Sequence, residues 1–116
     1  MESRILFKTS NHLSNKVEWV WLDNTEWLYC GLSHDLKEAL VDSHLKEHFS
    51  QTSLYLIITR TGSYELAFEE ALPKIKELID FHRFSIWDTT FTKVMEFNSI
   101  GVFRKGSCAA DTSFPK

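Results

Sequence analysis

Glycine is scarce, with four in 116 residues, and none is spaced to form a glycine-rich loop that could cradle phosphates. Cysteine is scarcer: Cys30 and Cys108 stand far apart and outside any C-x-x-C pair, which excludes a zinc ribbon or a redox dithiol. Cys30 sits in an apolar, strand-like run and reads as a small core residue. Long hydrophobic runs are missing too. The opening "MESRILFKTSNHL" carries an acid at position 2 and an apolar run of only Ile5–Phe7, so neither a signal peptide nor a membrane-spanning helix is expected, and a cytoplasmic address follows. Positive charge is in short supply, 13 Lys+Arg against 16 Asp+Glu for a net charge of −3, and no basic stripe stands out. An electrostatic grip on nucleic acid is not expected. Nor does any local motif orient the Ser, His and Asp residues as a nucleophile elbow would.

What is present is buryable surface. With 43% hydrophobic and 14% aromatic residues the chain must fold, and its length suits one domain, here 1–106, followed by a small, polar, non-periodic tail at 107–116. Residues 17–32, "VEWVWLDNTEWLYCGL", predict a β-hairpin turning at Asp23-Asn24-Thr25. Residues 33–49 predict a helix capped by Ser33, with a bend or restart near Ser43 where the apolar stripe drifts. The run 53–60, "SLYLIITR", is apolar at nearly every position, as in a strand covered on both faces. Residues 64–82 predict a long amphipathic helix kinked at Pro73. Three short strands follow at 84–88, 92–97 and 100–104, the last two joined by a turn at Asn98-Ser99. The sum is an α+β domain: a mainly antiparallel sheet of five to six strands with two principal helices packed on it, and a β–α–β crossing from 53–60 to 84–88 that would make one neighbouring pair parallel.

Chemistry is concentrated in a few places. Residues 44–48, "HLKEH", match the H-x-x-E-H spelling of inverted zinc peptidases, in which His44 and His48 would bind metal and Glu47 would activate water. A third ligand is also required, and in those peptidases it lies further downstream than Lys116. Glu65, Glu69, Glu70, Glu77 and His82 are the available substitutes. On a helical wheel the two histidines fall at the edge of the apolar region, an ordinary place for half-buried imidazoles, so the expectation is no metal and no cofactor. Asp88, with Thr89 and Thr90, reads as a strand-ending turn. His82 closes the predicted long helix on its apolar side, a structural position. Trp19, Trp21 and Trp27 cluster on the first hairpin, a cluster that is either core or an anchor for a partner, with core favoured for at least two of them. The most unusual feature is acidity on the helices: Asp35, Glu38, Asp42 and Glu47 on the first, with Glu65, Glu69, Glu70, Glu77 and Asp80 on the second, only partly offset by Lys37, Lys46, Lys74 and Lys76. Such a face suits docking of a basic protein.

The segment from Ser53 to Gly106, with "SLYLIITR", "FEEALPKIKELIDFHRFSIWD" and "VMEFNSIGVFRKG", resembles the later part of small bacterial immunity proteins from polymorphic-toxin and contact-dependent inhibition systems. The resemblance implies a cytoplasmic, non-enzymatic inhibitor that binds the toxic domain of a cognate protein, often a nuclease. Its candidate contact residues are Asp35, Glu38, Asp42, Glu47, Glu69, Glu70 and Glu77, with Trp19 and Trp21 as aromatic anchors. The competing expectations are a small metal-dependent hydrolase built on 44–48, and a small-molecule or regulatory binding domain with a deep apolar pocket at the tryptophans.

Overall fold

The computed structural model describes residues 2–21 and 24–108. Three α-helices, α1 (Ser3–Ser14), α2 (Glu38–His48) and α3 (Ala71–Leu78), accompany seven strands: β1 (Val17–Trp19), β2 (Leu28–Tyr29), β3 (Ser53–Ile57), β4 (Tyr64–Ala67), β5 (Phe84–Asp88), β6 (Lys93–Asn98) and β7 (Val102–Cys108). They form one antiparallel sheet in the order β1-β7-β6-β5-β3-β4, with β2 also paired to β7. The α+β class and the antiparallel sheet stand as expected, with more strands and one more helix. No helix among the described residues is long and apolar enough to cross a membrane.

The sheet is a middle layer. Side chains alternate across it, so Leu54, Leu56, Ile86, Met95, Phe97 and Phe103 face α2 and α3, meeting Val41, Leu45, Ala71 and Ile75 in one apolar cluster. Tyr55, Ile57, Trp87 and Val94 point the other way, toward Leu6 and Leu13 of α1. This is why 54–57 carries no charged residue: β3 is buried on both faces.

Several expectations give way to tertiary pairing. The hairpin at 17–32 does not form, because β1 and β2 both spend their ladder groups on β7: Val17 lies opposite Cys108 and Trp19 opposite Gly106, then Leu28 opposite Phe103 and Tyr29 opposite Val102. The two segments run in one direction, end to end along a single edge of β7. Asp23 of the expected turn lies outside the described residues. Gly106 permits the close approach, since a Cβ there would stand 2.6 Å from the Glu18 carbonyl oxygen and 2.7 Å from Val17. The first predicted helix begins late: Ser33–Asp35 is a 3-10 turn whose Leu32 N–H is held by the Asp35 carboxylate at 2.8 Å, and α2 starts at Glu38 without a break near Ser43. Ser33 is therefore not the cap.

The second predicted helix is shorter still. Residues Tyr64–Ala67 pair with β3, and Pro73 falls in the first turn of α3, where its missing N–H costs nothing and no kink is needed. His82 lies exposed beyond the helix, its N–H on the Leu78 carbonyl. Because β4 intervenes, β3 and β5 are antiparallel neighbours and the parallel pair does not arise. β4 and β5 instead flank β3. At the other end, β7 runs to Cys108, so Ser107 and Cys108 belong to the sheet and not to a tail; 109–116 lie outside the described residues. The turn at Asn98-Ser99 forms as expected and is completed by Gly101, whose φ of +90° suits glycine.

Candidate functional site

The nominated carboxylates lie on the α2–α3 side of the sheet, but most are already occupied. Glu38 meets Lys76 at 3.0 Å and so ties α2 to α3, Asp42 pairs with Lys46 at 2.9 Å, and Glu47 reaches Lys105 at 2.8 Å. Asp35 locks the 3-10 turn and accepts from the Tyr29 hydroxyl at 3.3 Å, while Asp80 accepts the Ser33 N–H at 2.8 Å. Glu65 and Glu69 form no ion pair among the described residues. Glu69, Glu70 and Glu77 come together with Tyr64, Leu66, Pro73 and Lys74 around a groove of about 480 Å³ beside the edge strand β4. Lys74 stands within 3.4 Å of Glu77, and Glu70 accepts the Ala67 N–H at 3.2 Å. Trp19 is not part of this surface; it packs on the opposite face, with the α1 cluster. Trp21, 67% exposed, stands just past the end of β1.

The pentapeptide 44–48 lies on α2 with its histidines turned inward. A carbonyl oxygen only accepts, so Nε2 of His48 must carry its proton, donating between the Val94 and Gly106 carbonyls at 3.1 and 3.0 Å. That nitrogen faces sheet backbone, and Glu47 is engaged by Lys105. His44 rests edge-on against Phe103 with centroids 5.2 Å apart, its buried Nδ1 without a hydrogen-bond partner among the described residues. No cluster of three or more His, Cys, Asp or Glu side chains among the described residues is placed to hold a metal. The pair acts instead as packing, with consequences for pH. Burial, assisted by the Lys105 ammonium, holds both imidazoles below the ordinary histidine range. Folding therefore favours the neutral form, and this contribution is complete above the unfolded value of about 6.5 and lost as pH falls below it. The urea midpoint should be lower at pH 5 than at pH 7.5, and His44→Leu should narrow the gap; equal midpoints would refute it.

A third arrangement lies on the α1 side and was not legible in the sequence. Ser85, Glu96 and Arg104 sit directly opposite one another on β5, β6 and β7. The Arg104 guanidinium is stacked 3.7 Å from the Trp19 ring and 4.5 Å from the Trp27 ring. Its Nε and Nη2 donate to Glu96 at 2.8 Å and its Nη1 to Glu26 at 2.9 Å. Arg83 closes the chain on the other Glu96 oxygen at 2.6 Å. With Trp19 on one side and Asn11 and Ser14 of α1 and its C-cap Asn15 on the other, this network borders a polar cleft of about 410 Å³. Trp19 and Trp27 are thus half-buried clamps on an arginine, and the deep apolar pocket expected of a small-molecule domain is not what they line.

The thiols are not poised for chemistry. Burial pushes Cys30 up to about 11, and Cys108 is buried and raised for the same reason. Comparison with protein-family models, curated proteins and solved structures finds no match to this chain.

Proposed function

We propose that this chain is a non-enzymatic binding protein, an immunity protein that captures and neutralises a cognate bacterial toxin domain in the cytoplasm. The observation that carries the reading is the groove beside β4, where Glu69, Glu70 and Glu77 surround a single lysine next to the 39%-exposed Tyr64. An acidic trough flanked by an aromatic ring suits a basic segment of a partner: the carboxylates speed and orient the encounter, and the ring supplies desolvated contact area. Glu38, Asp42 and Glu47 extend the negative surface along α2, though their lysine partners reduce its field.

Co-expression with the toxic domain encoded by the adjacent reading frame tests this directly. A stable complex and restored growth are expected. Glu69→Lys combined with Glu77→Lys should weaken the complex about ten-fold or more, chiefly through slower association at low salt. Undiminished toxicity, or no complex with the purified domain, would overturn the reading.

A further inference from the structure

Helix α1 buries Leu6, Ser10 and Leu13, and its opposite side carries Arg4, Lys8 and His12 at four-residue spacing, with Lys16 continuing the row just past the helix. All four are exposed, so a basic stripe does exist on this chain, on the side of the sheet away from the acidic helices. Ile5, 51% exposed, interrupts it. A groove lies on each side of Ile5 and Lys8. One, of about 590 Å³, is shared with Arg4 and Arg60. The other, of about 430 Å³, is walled by Ile5 and Thr90, rimmed by Lys8 and His12, and floored by Leu13 and Phe91. Its floor is rigid: Phe91 sits at a left-handed φ of 57°, between Tyr55 and Trp87 at centroid distances of 5.2 and 5.3 Å. The helix is fixed as well, since the Ser3 hydroxyl donates to the Arg60 carbonyl and accepts the Ser63 N–H.

Lys8 beside a recessed apolar floor, with Arg4 and Arg60 on the neighbouring groove, selects a ligand that is anionic and apolar together. A membrane surface fits poorly, because the apolar side of α1 is spent on the core and only Ile5 is left to insert. A nucleic-acid backbone offers nothing for Ile5 or the groove. We infer that α1 and the turn joining β5 to β6 form a docking surface for an acidic peptide segment of a partner protein, with one large apolar side chain of that segment seated over Phe91. The surface is independent of the acidic groove beside β4 and would stand if that reading failed.

The test is fluorescence anisotropy on the full chain with a fluorescein-labelled peptide in which a central Phe-Leu pair is flanked by glutamates. Binding that weakens with added salt is expected, together with a loss of about ten-fold for Lys8→Glu and for a probe with alanines in place of Phe-Leu. Ile5→Asp should have a similar effect, with unchanged circular dichroism confirming the fold; Lys8 is exposed, so its variant provides the answer if Ile5→Asp misfolds. Equal binding of a lysine-flanked probe, indifference to Lys8→Glu, or no binding at all would overturn the proposal. So would uptake of phosphatidylglycerol vesicles without uptake of the peptide.

Discussion

Replacing Arg104 with alanine should cost about 3 kcal/mol of stability, roughly 10–15 °C in melting temperature for a domain of this size. The expectation rests on what is left behind. Arg104 and Glu96 are only 18% and 12% exposed, so the substitution strands a largely desolvated carboxylate that Arg83, itself 62% exposed, can neutralise on one oxygen only. Glu26 loses its partner at the same time, and Trp19 and Trp27 lose the planar group packed between them. Loss of one member of a buried ion pair is costly because the survivor keeps its desolvation penalty. Arg104→Lys should recover only part of the loss, since an ammonium can neither donate in a fork nor lie flat between two indoles. Urea denaturation followed by tryptophan fluorescence checks both variants. A cost below about 1 kcal/mol for the alanine variant would mean that water already screens the network.

Asp88→Ala should be comparably severe, about 3–4 kcal/mol, whereas Asp88→Asn should cost about 1. Asp88 is 7% exposed and ends β5. One carboxylate oxygen accepts the Thr92 and Lys93 N–H groups at 2.7 and 3.0 Å, and the other accepts the Thr90 and Thr92 hydroxyls at 3.0 and 2.6 Å. Alanine would leave two part-buried backbone donors without their acceptor and release the turn that keeps Phe91 in its strained backbone. An asparagine can keep its oxygen on the two amides while the hydroxyls rotate to accept from its NH₂. A thermal-melt series of the three proteins would show the ordering, and a near-equal loss for asparagine and alanine would show that the charge itself is required.

The sequence reading of Asp88 as a turn-former was correct because Asx chemistry is local: the groups it holds are within five residues. The same holds for the Asn98-Ser99 turn and for β3, whose unbroken apolar run implies cover on both faces. Legibility fails where the deciding partner is remote. Helix α1 was missed because a serine stands in its apolar stripe; Ser10 is tolerable in the core only because the Trp87 indole N–H donates to it at 2.9 Å from 77 residues away. Tyr64–Ala67 continues the apolar wheel of α3 yet pairs with β3, a case of tertiary pairing overriding helical pattern. In the candidate sites, the carboxylates could be nominated from composition, but not which of them lysines would occupy, and the Arg104 network joins residues from five separate stretches of chain.

Strand β7 organises β1 and β2, which are made some seventy to ninety residues before it. Among the described residues, Val17, Trp19, Leu28 and Tyr29 have ladder partners only on β7, so that register is not available to them until residues 102–108 have been synthesised. Contacts of such long sequence separation make closure slow relative to a helical domain of equal length. During that interval an unpaired, tryptophan-rich edge is open to pairing with other chains, and the nascent protein depends on how quickly β7 arrives.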